Sequence, residues 1–304
     1  MKVLVTGANG FVGKHVVLAV IRAGHTVVSA PSDIVDLTID HEVVDYFLAE
    51  KPDAVIHLAA LVGGIGANQS RPADFWRDNL EMGINVIEAC RLAEVKRLVL
   101  AGTTCSYPKN TPTPFIEERL HGGYPEETNA PYGIAKLALI EGAKAYRRQY
   151  GLKSTLLIPT NMYGPGDNFD LASSHVIPAM IRKFHDAIED NKNEVVLWGD
   201  GSPTRDFLYV SDCAQAFVAA LSCPDYNEPI NVGSGEEVPI STIAHVIREV
   251  VGYYGAISWD TSRPNGQPRR CLDTSRARAK LKWCSSTPLL EGIRKTYEWF
   301  KSTR

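Results

Sequence analysis

Apolar residues recur along the chain with two different periods. Short runs rich in aliphatic and β-branched residues stand at 2–6, 26–30, 54–58, 97–101 and 154–158, with the length and composition of buried strands. Between them the apolar positions repeat at helical intervals, as at Val16, Val17, Val20 and Ile21 ahead of Gly24, and again near 39–50, 73–94 and 132–150. Alternating strand and helix predicts an α/β fold, a doubly wound parallel sheet wrapped by helices. Crossovers in such a sheet are right-handed and ligands lie beyond the carboxyl ends of the strands, so the segments after each run converge on one crevice.

Those segments hold the unusual residues. After the first run comes Gly7-Ala-Asn9-Gly10-Phe11-Val12-Gly13, a glycine cluster between strand and helix. Such a turn lets backbone N–H groups and a helix N-terminus approach a pyrophosphate, which makes the first half Rossmann-like. Its G-x-x-G-x-x-G spacing is the variant typical of short-chain dehydrogenase/reductases. Later segments carry Leu61-Val-Gly-Gly-Ile-Gly66, Thr103-Thr-Cys105 and Pro159-Thr-Asn161-Met162-Tyr-Gly164. Tyr132 and Lys136 stand four residues apart in a helical pattern and share a face. A nearby ammonium favours phenolate, so Lys136 is expected to pull the Tyr132 pKa down from its reference of about 10, making the phenol a proton donor or acceptor.

After Pro165 the sequence becomes loop-rich, which predicts a smaller α/β substrate-binding lobe over 166–205 and 234–304. The nucleotide-binding domain is expected to span 1–165, with 206–233 returning to it because 207–210 and 230–232 read as short strands flanking a helix. The 304 residues, 44% of them apolar, can fill such cores, and a net charge of −3 without a basic stripe argues against a nucleic-acid partner. No apolar stretch approaches the ~20 residues of a membrane helix. The first strand begins at residue 2, leaving no room for a signal peptide. Cysteines at 90, 105, 213, 223, 271 and 284 form no C-x-x-C pair or metal-ligand spacing, so a reduced cytoplasmic protein without a metal is expected.

Several longer motifs are more specific: Val62-Gly-Gly-Ile-Gly-Ala-Asn68, Cys105-Ser-Tyr-Pro-Lys109, Pro131-Tyr-Gly-Ile-Ala-Lys136, Pro159-Thr-Asn-Met-Tyr-Gly-Pro-Gly-Asp-Asn-Phe169, Ser174-His-Val-Ile-Pro178 and Arg205-Asp-Phe-Leu-Tyr209. With these the chain resembles the extended short-chain dehydrogenase/reductases and, over nearly its full length, the GDP-L-fucose synthase family among them. That family inverts C3 and C5 of GDP-4-keto-6-deoxy-D-mannose and then reduces the C4 ketone with NADPH. The resemblance implies Cys105 and His175 as the acid and base at C3 and C5. Reference pKa values of about 8.5 for a thiol and 6.5 for an imidazole bracket neutral pH. It implies Tyr132 as proton donor at the C4 oxygen, Lys136 as the cation beside it and on the nicotinamide ribose, and Thr103 as the supporting hydroxyl where the family usually has serine.

The same resemblance assigns the dinucleotide to Gly7, Asn9, Gly10, Phe11, Val12 and Gly13, to Asp36 and Leu37, and to Lys136, Pro159, Asn161, Met162 and His175. NADP(H) is implied, with NAD(H) left open. Ser32 stands where some members have an arginine for the 2′-phosphate, and Asp33, about 20 residues beyond Gly13, could accept the ribose hydroxyls of NAD. For the GDP half of the substrate it implies Lys183 and Arg205 at the phosphates, Trp198 against the base, and Asn265 and Arg270 where the family often has Asp and Lys. Thr103 and the 265/270 pair keep open a related enzyme for another GDP-4-keto sugar, such as a heptose. A nucleotide-binding regulator without catalysis is the remaining alternative. A homodimer through the helices ending near Glu94 and Tyr150 is also implied.

Overall fold

The computed structural model describes residues 1–304 apart from 172, 225 and 264 and the side chain at 65. Pro264, next to Asn265 in the segment Arg263-Pro-Asn-Gly-Gln-Pro-Arg-Arg270, thus lies outside the described residues. The strands are β1 (Lys2–Thr6), β2 (Thr26–Ala30), β3 (Ala54–His57), β4 (Arg97–Ala101), β5 (Ser154–Pro159), β6 (Asn161–Tyr163), β7 (Glu194–Trp198), β8 (Thr204–Arg205), β9 (Phe207–Tyr209), β10 (Ile230–Val232), β11 (Val238–Pro239), β12 (Ala256–Asp260) and β13 (Arg269–Arg270). The α-helices are α1 (Phe11–Arg22), α2 (Asp40–Glu50), α3 (Ile65–Ser70), α4 (Pro72–Leu92), α5 (Ala130–Tyr150), α6 (Val176–Glu189), α7 (Val210–Leu221), α8 (Ile240–Val251), α9 (Ser275–Leu281) and α10 (Leu289–Ser302).

A six-stranded sheet has the order β10-β5-β4-β3-β1-β2, and every pair in it is parallel. The chain winds outward from β1 to β2, then returns to the other side of β1 at β3. This reversal opens a crevice at the carboxyl ends of those strands. Alternation divides the sheet residues between two cores. Leu4, Val55, Leu98 and Leu100 pack with Phe47 of α2, Val86 of α4 and Leu139 of α5. Val3, Val5, Ile56 and Val99 pack with Val16 of α1 and Phe217 of α7. Burial on both faces explains why these strands read as continuous apolar runs.

α4 and α5 are each 21 residues long, and each carries proline in its first turn. They approach closely because Gly83 has no side chain: a Cβ there would lie 2.2 Å from Leu139 Cδ1. α5 stops at Gly151, which adopts the left-handed conformation at φ 75°.

A third core gathers Ile177, Ile181 and Phe184 of α6, Ile243 and Ile247 of α8, and Ile293 and Phe300 of α10. β7 pairs in parallel with β12, and β8 lies between β11 and β13. The two short strands expected around 207–210 and 230–232 flank α7: β9 pairs with β6, whereas β10 joins the main sheet beside β5. Pro159 supplies no N–H for a further ladder bond, and the chain beyond it turns away to meet β9.

Asp212, buried in the first turn of α7, ties this core to the second. Its carboxylate accepts Ser286 N–H at 3.0 Å, Ser286 Oγ at 3.0 Å, Thr287 N–H at 2.8 Å and Thr287 Oγ1 at 3.1 Å. Asp212→Ala strands these donors and is expected to lower the unfolding free energy by about 3 kcal/mol. Urea denaturation followed by circular dichroism checks this, with Asp212→Asn expected to fall between the two.

Candidate active site

Thr6 and the glycine turn build one wall. Thr6 Oγ1 accepts the N–H groups of Leu58 and Ala59, each at 3.2 Å, so β1 and the segment after β3 lie in close contact. Gly7 has φ 68°, and a Cβ on it would sit 2.8 Å from Ala59 N; a Cβ on Gly13 would sit 2.0 Å from Gly7 O. Neither position can carry a side chain. α1 then starts after Gly10 with no side-chain cap and no acidic residue in its first turn, leaving its N–H groups and positive dipole end for an anion. Asn9, Phe11 and Val12 belong to this turn and helix start. His15, one turn on, lies 2.7 Å through Nε2 from Pro165 O, which brings α1 against the segment holding Pro159, Asn161 and Met162. This cradle fits a dinucleotide pyrophosphate.

At the end of β2, Leu37 is buried and its carbonyl accepts Asn85 Nδ2 at 3.0 Å. Asp36 is exposed, and the N–H and hydroxyl of Thr38 hold its carboxyl below the usual range. Ser32 and Asp33 lie exposed on the same turn, and the sequence from 26 to 50 has no Lys or Arg.

The second wall is the start of α5 against the turn after β4. A Cβ at Gly133 would lie 2.2 Å from Cys105 O, and Ser106 Oγ donates to Gly133 O at 2.8 Å. Thr103 caps that turn by accepting Cys105 N–H at 3.2 Å. Asn129 Nδ2 donates to Cys105 Sγ at 3.2 Å, and Phe75 meets the Tyr132 ring edge-on at 6.3 Å. Thr103, Cys105 and Tyr132 are therefore brought together, with Lys136 one turn further along α5.

The expected lowering of the Tyr132 pKa is corrected. Desolvation of the phenol, reinforced by Cys105, pushes it above the ordinary value, and the hydrogen bond from Thr103 only partly opposes this. Lys136 is itself 2% exposed, and burial lowers it to about 8. The spacing argument started from solution values, whereas the fold buries Lys136 and half-buries Tyr132.

The third wall is the edge of the smaller core. His175 precedes α6 and shares a cavity with Asn161, Met162 and Arg205; desolvation there lowers its pKa. Arg205 is lowered to about 10 by burial and by Arg270, its pairing partner across β8 and β13. Among the described residues neither guanidinium meets a carboxylate: Arg205 donates to Thr204 O, and Arg270 to Gln267 Oε1. Lys183 donates to Val196 O at 3.0 Å and lies 5.9 Å from the Trp198 ring, whose surface also faces Arg263 at 5.0 Å. Asn265 accepts Asp200 N–H at 2.9 Å, so its oxygen shapes the Gly199–Gly201 turn. No hydrogen bond joins the Cys105 group to the His175 group among the described residues.

Sequence reasoning missed Asn129, Phe75, Arg263 and the buried His57. Asn129 has a signal in hindsight, an Asn just ahead of a helical pattern, although its amide serves Cys105 and caps no N–H.

A family model described as the NAD dependent epimerase/dehydratase family matches residues 3–233. The chain belongs to this family. It is 43% identical to a probable GDP-L-fucose synthase 1 of Oryza sativa subsp. japonica, over 98% of this chain and 92% of the relative. It is 44% identical to a GDP-L-fucose synthase of Sinorhizobium fredii, over 99% of this chain and 96% of that one. Among solved structures, a GDP-mannoheptose C4 reductase from Campylobacter jejuni with NADP bound superposes with a TM-score of 0.91 at 31% identity, covering 99% of this chain and 98% of that one.

Lys136 yields a test that needs no substrate. Its folded pKa of about 8 lies below the unfolded 10.5, so the folded state binds fewer protons and this group's contribution to stability rises with pH between those values. Lys136→Met is expected to be more stable than the parent at pH 7. The difference between their melting temperatures should shrink towards pH 10.

Proposed function

We propose that the chain is a GDP-L-fucose synthase-like enzyme, carrying out 3,5-epimerisation of GDP-4-keto-6-deoxy-D-mannose and then NADPH-dependent reduction of the C4 ketone. The observation that carries this reading is Cys105, held by Asn129 and the Gly133 contact beside Thr103, Tyr132 and Lys136. Reduction alone has no use for a thiol there. Epimerisation needs one group to remove the acidified C3 and C5 protons and another to return them, and Cys105 with His175 supplies the pair.

NADP(H), when bound, supplies the hydride to C4. The glycine turn and the N-terminus of α1 would hold its pyrophosphate, and Ser32 with the turn after β2 would meet the adenosine end. Tyr132, whose phenol burial keeps protonated, gives its proton to the developing alkoxide, and Thr103 stabilises that oxygen. Lys136 adds positive charge beside it. Arg205 and Arg270, without carboxylate partners among the described residues, suit a diphosphate, and Trp198 suits the base.

Thr103 in place of serine and the likeness to a GDP-mannoheptose C4 reductase support a second reading, in which the sugar is another GDP-4-keto hexose or heptose. The six free cysteines suit a reduced cytoplasmic setting, and among the described residues no helix is long and apolar enough to cross a membrane.

Mass spectrometry of the product formed from GDP-4-keto-6-deoxymannose and NADPH in deuterated water tests the proposal. Two non-exchangeable deuteriums in a reduced product are expected. Reduction without deuterium would leave Cys105 and His175 without their role, and reaction only with a heptose derivative would favour the second reading.

The reading includes a homodimer through α4 and α5, where Trp76, Ile84, Leu92 and Tyr150 are exposed. Sedimentation velocity is expected to show a species of twice the 33.4 kDa chain mass, and a lone 33.4 kDa species at all concentrations would exclude it.

A further inference from the structure

His57 ends β3 on the sheet face covered by α4 and α5, because Val55, two residues earlier, packs into that core. The residue is fully buried. Thr6 pairs with it across β1 and places Oγ1 2.8 Å from His57 Nδ1. That oxygen also accepts Ala59 N–H and shares Leu58 N–H with Thr6 O, so backbone donors crowd its acceptor side. The Thr6 hydroxyl proton therefore goes to His57 Nδ1, which must accept it. The neutral ring consequently carries its own proton on Nε2, and that buried atom meets no partner among the described residues.

Burial holds the imidazole down to about 3, and the Lys136 cation adds to the effect, so the ring is neutral at working pH and within electrostatic reach of the ammonium. Lys136, on the helix covering the same face, is also buried. An imidazole N–H and an ammonium are both donors and cannot satisfy each other. What the pair requires is an acceptor between them. One water oxygen accepts from both, and its own protons can reach backbone carbonyls.

We propose that His57 and Lys136 hold one buried water between them, and that His57 is thereby a positioning residue for Lys136. The water gives the ammonium a fixed partner on the sheet side and aims its remaining N–H groups at the crevice. It also favours the charged lysine against the desolvation that opposes it. Thr6 takes part by fixing the tautomer. The link to turnover rests on the function proposed for Lys136; the water itself does not, because it can be sought in the ligand-free protein.

The test joins a crystal structure of the ligand-free protein, at a resolution that shows ordered waters, to two variants. A water within hydrogen-bond distance of both His57 Nε2 and Lys136 Nζ is expected. His57→Phe, which cannot hold it, should lower kcat for ketone reduction about tenfold, equivalent to about 1.4 kcal/mol. The basic limb of its pH–rate profile should move to lower pH as the lysine loses its proton more readily. His57→Gln, which keeps an N–H at similar reach, should restore much of both. A protein atom in contact with Nε2, or Nε2 with no water beside it, would overturn the proposal. So would a His57→Phe enzyme that is more stable than the parent with an unmoved pH profile, as removal of an orphaned donor gives. If the parent reduces no GDP-keto sugar, the proposed function fails while the crystallographic result still decides the water.

Discussion

The backbone of Cys105 lies so close to α5 that position 133 cannot carry a side chain. Much of the site depends on this contact. It seats the first turns of α5 on the turn after β4, so Tyr132 and Lys136 arrive beside Thr103 and Cys105 without any long loop to position them. It also buries Lys136 and half-buries Tyr132. For Lys136, a displacement from 10.5 to about 8 corresponds to about 3 kcal/mol. One or two fully buried aliphatic side chains contribute as much, at about 1.5–3 kcal/mol each, and both faces of the sheet are filled with them. The cores are thus large enough to hold a lysine where it is electrostatically uncomfortable.

The parts of this arrangement that depend on local sequence were legible from it. Runs of apolar residues marked β1 to β5, because a strand buried on both faces needs no alternation. The glycines at 7 and 13 announced a turn too tight for side chains, and the contacts of 2.8 Å and 2.0 Å that a Cβ would make there give the reason. What could not be read is what folding alone decides. The partner of β9 is one case, since 207–209 has strand character whichever strand it meets. The direction of the Tyr132 shift is another, because spacing on a helix places the ammonium nearby but says nothing about water. Asn265 was named through the resemblance, yet its oxygen serves the backbone of a neighbouring turn.

The crevice divides its electrostatics between two walls. Towards the smaller core, Arg205 and Arg270 pair across β8 and β13 without a carboxylate among the described residues, and the pKa of Arg205 is lowered by burial first and by Arg270 second. A chain with net charge −3 has acids to spare for surface pairing, so leaving this pair uncompensated holds positive charge ready for an anionic ligand. Towards α5 the groups are few and desolvated, and there the fold controls protons.

That control has a direction. A phenol pushed above its ordinary pKa keeps its proton at neutral pH, which suits a group that must deliver it to an oxygen gaining negative charge. The opposite reaction, oxidation of an alcohol, would call for a phenolate to take a proton, and burial beside Cys105 works against that form. Burial also weakens the hold of Lys136 on its proton, towards pH 8. On the proposed reading, the same desolvation that made the sequence-based expectation for Tyr132 fail in sign is what sets the site for reduction.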